Sequence, residues 1–175
     1  PLWSRGLGDV YKRQVQACLG QAKTSDGKRV PKAIVAPHAG YIYSGAIAAN
    51  AYALLAPVRD TIRRVVLLGP THRVAIRGIA LPGCHRFDTP LGPVMIDTDA
   101  IKLLAGLPHV GVSAEAHAME HSLEVHLPFL QSMFPDFRIV PLAVGQVSPA
   151  EVAQVLDRLW GGPETLIVVS SDLSH

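Results

Sequence analysis

Short apolar runs without polar alternation mark the chain at intervals, and each is closed by Gly, Pro or a polar cluster. Ile34-Val35-Ala36, Val65-Val66-Leu67-Leu68, Ile139-Val140 with Leu142-Ala143-Val144, and Leu166-Ile167-Val168-Val169 are of this kind. Runs of this length that are apolar at every position predict strands buried on both faces, as in a parallel sheet. They place strands over 32–36, 63–68, 137–144 and 165–169. The stretches between them carry helical signals. Ser44 can cap a helix through Ala46 to Leu55, broken at Pro57, and Asp97 or Thr98 can cap a short helix that ends near Gly106. Leu123, Leu127, Leu130 and Phe134 fall at helical spacing, although Pro128 must kink that segment or start a new helix. Ser148-Pro149-Ala150-Glu151 is a capping box with Pro at the first helical position, opening an amphipathic helix to Trp160. Residues 78–81 and 94–96 are expected to pair as a small strand unit across the turn-rich segment 87–92. The alternation predicts an α/β fold with a largely parallel or mixed central sheet and helices on both faces.

With 175 residues and 49% hydrophobic content the chain can bury one core, so a single domain is expected. Residues 1–29 carry six Lys/Arg and two Asp, whereas the remainder holds ten basic and twelve acidic side chains. The body is mildly acidic, so the overall charge of +2 does not indicate a nucleic-acid partner. Cys18 and Cys84 form no disulfide framework and match no zinc-ribbon spacing, which suits a reducing compartment. No apolar run approaches the ~18 residues of a membrane span, and no signal-peptide core is present, so the expected location is cytoplasmic. Residues 1–14 show no clear period and resemble translated adapter or linker sequence; they are set apart as a non-native segment, with 15–175 as the N-terminal part of one domain. The chain stops at His175 just after an apolar run and inside a polar cluster, and the domain is expected to continue past it.

Candidate chemistry gathers after the apolar runs. His38 and His72 each sit in a Gly/Pro-bearing turn one strand-helix-strand unit apart, so they could emerge from neighbouring strand ends on one side of the sheet. Metal ligation and structural hydrogen bonding are both open for them. Gly40 and Gly69 beside them allow close backbone approach or positive φ. The segment Glu120 to His126 lacks the His-Glu-x-x-His order of a zincin, but His121 and Glu124 can share a helical face; the plain alternative is a polar helix start. His117 reads as loop. Asp172 and His175, three apart, suit an orienting carboxylate and an acid/base imidazole, unless Ser171 or Asp172 simply caps a following helix. A Ser/His/Asp hydrolase finds serines here but no Gly-x-Ser-x-Gly elbow. His85 and His109 receive no role.

Taken together, Ala36-Pro37-His38-Ala39-Gly40-Tyr41 with Tyr43-Ser44-Gly45, Leu68-Gly69-Pro70-Thr71-His72, Thr89-Pro90-Leu91-Gly92, Glu120-His121-Ser122-Leu123-Glu124-Val125-His126-Leu127-Pro128-Phe129, Pro141-Leu142-Ala143-Val144-Gly145 and Val169-Ser170-Ser171-Asp172-Leu173-Ser174-His175 resemble the Memo family, also called AmmeMemoRadiSam system protein B. They run in order across nearly all of 32–175. The resemblance implies the fold of class III extradiol dioxygenases, whose non-haem iron is held by two histidines and one further ligand. His38 and His72 match the two histidines. The third ligand in the family looks like a cysteine from the C-terminal part of the domain, a position that neither Cys18 nor Cys84 matches. The same resemblance points to His121 and His175 as pocket histidines, with His175 as acid/base oriented by Asp172, and to Tyr41, Glu120 and Glu124 in the substrate pocket. The cofactor so implied is non-haem iron, with copper or zinc compatible with the same ligands and the site incomplete in this chain. The function so implied is a metal-dependent, dioxygenase-like oxidoreductase acting on a small molecule. The alternative is a non-catalytic adaptor whose pocket docks a peptide or a radical S-adenosylmethionine system partner.

Overall fold

The computed structural model of the protein describes residues 2–23 and 30–172. In chain order the elements are helix α1 (Leu2–Gln21), strand β1 (Ala33–Ala36), helix α2 (Tyr41–Ala53), strands β2 (Arg64–Pro70), β3 (Ile79–Leu81), β4 (Arg86–Thr89) and β5 (Gly92–Met95), helix α3 (Thr98–Lys102), strand β6 (Val110–Val112), helices α4 (Ala114–Ala118), α5 (His121–Glu124) and α6 (Leu127–Met133), strand β7 (Arg138–Val144), helix α7 (Pro149–Leu159) and strand β8 (Thr165–Ser170). The main sheet has six strands in the order β1-β8-β2-β7-β3-β6. β1, β8, β2 and β7 are mutually parallel. β3 runs antiparallel to β7 and parallel to β6. The sheet is therefore mixed, as expected from the α/β pattern.

The uninterrupted apolar runs are explained by the two cores they serve. Val65 and Leu67 of β2 join Ile34, Ile139, Leu166 and Val168 under α1, α2 and α6, where Val15, Ala49, Tyr52, Phe129 and Leu130 are buried. Val66 and Leu68 point to the other face and meet Val140, Leu142 and Ile167 under α3 and α7, with Ala100, Val155 and Leu159. Because side chains alternate along a strand, only a run apolar at every position can feed both layers. Cutting a fully buried side chain such as Leu67 to Ala should cost ~2–5 kcal/mol.

Several local expectations hold. Asp97 accepts the N–H of Ala100 as the N-cap of α3, Pro128 stands in the first turn of α6, and Ser148 with Glu151 forms the capping box of α7. Others are corrected. α2 opens at Tyr41 with Gly40 as N-cap, and Ser44 lies inside it, its hydroxyl donating to Ala39 O at 2.9 Å. The small strand pair exists, but it is β4 with β5, whereas β3 joins the main sheet. A three-residue strand is too short for its sequence to name its partner. His117 lies on α4 and donates from Nε2 to Ala80 O at 2.8 Å, so it is no loop residue. The division after Gln14 falls inside α1, which runs unbroken across it. Burial does begin there: Asp9 to Gln14 are exposed and Val15 is fully buried. Among the described residues, no helix is long and apolar enough to cross a membrane.

A paired-histidine site at the carboxyl end of the parallel strands

β1 and β2 both end at the same side of the sheet, and the turns that follow them carry His38 and His72. β8 lies between these strands, so they are not the immediate neighbours the spacing suggested. The intervening strand is what completes the site, because its last residue, Ser170, sits between the two turns. The imidazole rings of His38 and His72 are 5.2 Å apart, centroid to centroid. A strand arriving between them at this distance needs close packing, which Gly69 provides. A Cβ at Gly69 would lie 2.7 Å from Leu123, 2.9 Å from the Ser122 hydroxyl and 3.2 Å from Ser170 Cβ. Its φ is not positive, so of the two readings of this glycine the close approach is the operative one. Gly40 meets only Tyr43, at 3.7 Å, and carries no such requirement.

Both histidines are fixed through Nδ1 and through their backbone N–H. Glu120 takes both bonds from His72, the backbone N–H at 2.6 Å and Nδ1 at 2.9 Å. It also accepts the N–H of Ser122 at 2.9 Å, as the N-cap of α5. Burial works against the charge on Glu120, yet the hydrogen bonds from His72 and Ser122 prevail and hold its carboxyl down at about 2. An ionised carboxylate accepts only, so a neutral His72 carries its proton on Nδ1 and its lone pair on Nε2. At His38 the work is divided. Asp172 accepts its backbone N–H at 2.7 Å, and Ser170 Oγ lies 2.7 Å from its Nδ1. The Ser170 hydroxyl donates its own proton to Ser122 O at 2.6 Å, so towards His38 it can only accept. Neutral His38 is thereby the Nδ1–H tautomer as well. Its Nε2 lies 3.5 Å from the second oxygen of Asp172.

A cavity of about 380 Å³ opens beside His38, lined by Tyr11, Tyr41, His121, Glu124, Val125 and Pro128 among others. Tyr41 donates to Val125 O at 2.8 Å, and burial, with Tyr11 and Glu124 nearby, pushes its phenol up, so it stays protonated. His121 and Glu124 share a face as expected, Nδ1 to carboxylate at 2.9 Å, but both are largely exposed at the cavity rim. Glu120 lines a second cavity, of about 360 Å³, together with His117 and Arg86. Glu124 lines this second cavity as well, and within it Glu120 also serves as the anchor of His72. Asp172 binds the His38 turn, and His175, with which it was paired in sequence, lies outside the described residues. Sequence reasoning missed Ser170, Ser122 and the anchoring role of Glu120. The one available signal was a serine placed at the very end of an apolar run.

Among the described residues, no group of three or more His, Cys, Asp or Glu is placed to hold a metal ion. His38 and His72 nonetheless fit one as a pair: two imidazoles, each with its Nδ1 engaged so that Nε2 is the donor atom, on adjacent turns. Cys18 is on α1 and Cys84 is exposed beside Arg86 O, so neither adds a thiolate there.

Residues 8–175 match the family described as Memo-like protein. Protein MEMO1 of Xenopus laevis is 37% identical over 184 residues, covering 99% of this chain and 60% of that protein. Protein MEMO1 of Homo sapiens is 34% identical with the same coverage. A MEMO1 family protein of Aquifex aeolicus is 41% identical over 150 residues, 83% of this chain and 54% of that protein. The chain thus spans about 60% of the length of the animal relatives it matches.

Proposed function

The chain belongs to the Memo family, and on that premise we propose that it is a metal-dependent redox protein with an extradiol-dioxygenase-like pocket, in which His38 and His72 hold a non-haem metal. The observation that carries this reading is the matched tautomer of the two rings, 5.2 Å apart, each with Nδ1 held by an acceptor. Outer hydrogen bonds of this kind orient metal-binding imidazoles, and a carboxylate partner also makes the ring a stronger donor. Iron is the metal proposed; copper and zinc accept the same ligands. The third donor is proposed to be a cysteine of the family's C-terminal region, a position that neither Cys18 nor Cys84 matches. When bound, iron or copper would supply an open coordination position and one-electron chemistry, and zinc only the open position. The chain's own residues supply the rest. Asp172 fixes the His38 turn and sets a carboxylate beside Nε2, Tyr41 walls the cavity as a phenol, and His121 with Glu124 borders its mouth. His175 is proposed as the acid/base group near Asp172.

Anaerobic loading with Fe(II), followed by oxygen uptake with small catechols or amines, tests the reading. Uptake that depends on bound metal and is lost in His38→Ala supports it. A protein that is loaded and folded but never consumes oxygen or substrate rules out the redox role.

A further inference from the structure

The second cavity, of about 360 Å³, has no part in the function proposed above. It opens between β4 with the loop before it and helices α4 to α6, and Phe87, Leu123 and Leu127 give it an apolar wall. Leu123 and Leu127 are buried, and Phe87 stands beside the His117 ring, centroids 6.0 Å apart. Arg86 and Asp88 are exposed at the mouth and hold each other at 3.0 Å, so their charges cancel. Glu120 is different. Its side chain is only 4% exposed and is ionised, and its ion-pair partner among the described residues is His72, an imidazole charged only when protonated. Buried charges are as a rule paired with opposite ones, because their desolvation is otherwise uncompensated. Here a buried carboxylate lines a cavity whose Arg86 guanidinium is already committed to Asp88.

His117 supplies a second acceptor. The Glu120 N–H bonds back to His117 O at 3.3 Å, so both side chains issue from one turn at the end of α4, and both line the cavity. His117 Nε2 lies 2.8 Å from Ala80 O, a group that only accepts, so the ring proton sits on Nε2. Burial lowers the pKa of this imidazole, with Ala80 O and Glu120 opposing, so the ring is neutral and its Nδ1 carries a lone pair. Glu124 borders the same cavity, one carboxylate oxygen engaged by His121 at 2.9 Å. The lining thus offers acceptors and net negative charge over an apolar wall, and a matching ligand brings donors and positive charge on an apolar body. We propose that this cavity binds a small organic ammonium ion, a primary amine in its protonated form, whose N–H groups donate to the Glu120 carboxylate and to His117 Nδ1 while its apolar part packs on Phe87, Leu123 and Leu127. The face of the Phe87 ring adds to the hold on a cation. An anion is repelled by Glu120 and Glu124, and a neutral alcohol gains no charge pairing. The site is distinct from the cavity beside His38 and rests on no bound metal.

The test titrates metal-free protein with benzylammonium at neutral pH, followed by calorimetry and by ¹⁵N–¹H correlation. Saturable binding with a Kd of about 1 mM or below is expected, with the largest shifts at Phe87, His117 and Ala118. Benzyl alcohol, similar in shape but uncharged, should bind about tenfold more weakly, and benzoate more weakly still. Ala118→Trp fills the cavity from an exposed position at the end of α4, so it leaves the core intact and should abolish binding. Glu120→Gln keeps an acceptor for His72 but removes the charge, and should cut the preference for benzylammonium over benzyl alcohol by about tenfold. Loosening of the His72 turn would weaken both ligands alike and leave that preference unchanged, a result that contradicts the pairing with Glu120. No saturable binding below about 10 mM, equal binding of benzyl alcohol or benzoate, unchanged binding by the folded Ala118→Trp protein, or shifts confined to Tyr41 and Val125 beside His38 overturns the proposal. Because every readout is taken without metal, absence of metal binding would count against the proposed function alone.

Discussion

His38 and His72 occupy equivalent turns at two strand ends, yet different chemistry holds them. At His72 a single ionised carboxylate, Glu120, receives both the backbone N–H and Nδ1, while the side chain itself is 46% exposed. At His38 the two duties are split between Asp172 and the Ser170 hydroxyl, and the side chain is 8% exposed. One ring is held by charge at the surface, the other by a neutral hydroxyl inside the fold. A carboxylate partner strengthens an imidazole as a donor, so in the proposed site His72 would be the stronger donor and His38 the more tightly enclosed one. Ser122 links them, since its N–H is capped by Glu120 and its carbonyl receives the Ser170 hydroxyl. The two halves are thus one network, and losing the carboxylate that serves both His72 and Ser122 should cost more than losing the hydroxyl that serves His38.

Glu120→Ala should have the largest effect. It frees the His72 turn, uncaps α5 and loosens Ser122, and outer-shell losses of this type lower metal affinity by about 10–100-fold. Titration calorimetry with Zn(II) would measure it, and affinity within twofold of wild type would show that the carboxylate does not serve His72. Gly69→Ala comes next. Its methyl group must displace Leu123, Ser122 and Ser170 together, and overpacking of this kind costs ~1–3 kcal/mol. Urea denaturation reads that loss, and because Ser170 and Ser122 shift with it, metal affinity should fall too. A stable variant with native affinity would mean that the strand does not need the close approach.

Glu120→Gln sharpens the comparison by making His72 resemble His38, with a neutral acceptor in place of a charged one. Metal affinity should fall about tenfold, at the lower end of outer-shell effects. The same variant has a pH signature. The Glu120 carboxyl is held at about 2 against its ordinary 4.5, so its contribution to stability is complete above pH 4.5 and is lost as pH falls from there towards 2. The difference in melting temperature between wild type and Glu120→Gln should therefore shrink across that window. A constant difference would contradict the hydrogen-bonded carboxylate. Ser170→Ala removes the Nδ1 acceptor of the buried ring and the hydroxyl bond to Ser122 O but leaves both Glu120 bonds to His72, so its effect on affinity should be smaller than that of Glu120→Ala. The smallest effect is expected from deleting residues 1–14. The side chains of Asp9 to Gln14 are exposed, so stability should change by no more than about 0.5 kcal/mol, although the cavity loses Tyr11 and Tyr41 loses its edge contact at 5.9 Å.

What could be read from the chain follows how local each determinant is. The runs around Val65-Val66-Leu67-Leu68 and Leu166-Ile167-Val168-Val169 announce central strands, because a doubly buried strand tolerates no polar position. The Ser148-Glu151 box and the break at Pro128 are equally local, so they appear in the structure where the sequence put them. β3 was not assignable, since three residues hold too little pattern to choose between β5 and β7. The helical spacing of Val15, Cys18, Leu19 and Ala22 was present but passed over, because the polar residues before it hid the start of α1; all four pack on the core. In the site, His38 and His72 were visible as histidines in strand-end turns. Their anchors were not, because Glu120 is 48 residues from His72 and Ser170 is 132 from His38, distances across which only the folded sheet decides contact.

The central claim is that both imidazoles bind one metal ion through Nε2. X-ray absorption on the Fe(II)- or Zn(II)-loaded protein, with metal content measured in parallel on His38→Ala and His72→Ala, tests it directly. The account predicts one metal per chain with two imidazole nitrogens in its first shell, and a loss of one imidazole and most of the metal in each folded variant. A first shell without imidazole, or full metal retention when both histidines are replaced, would contradict it.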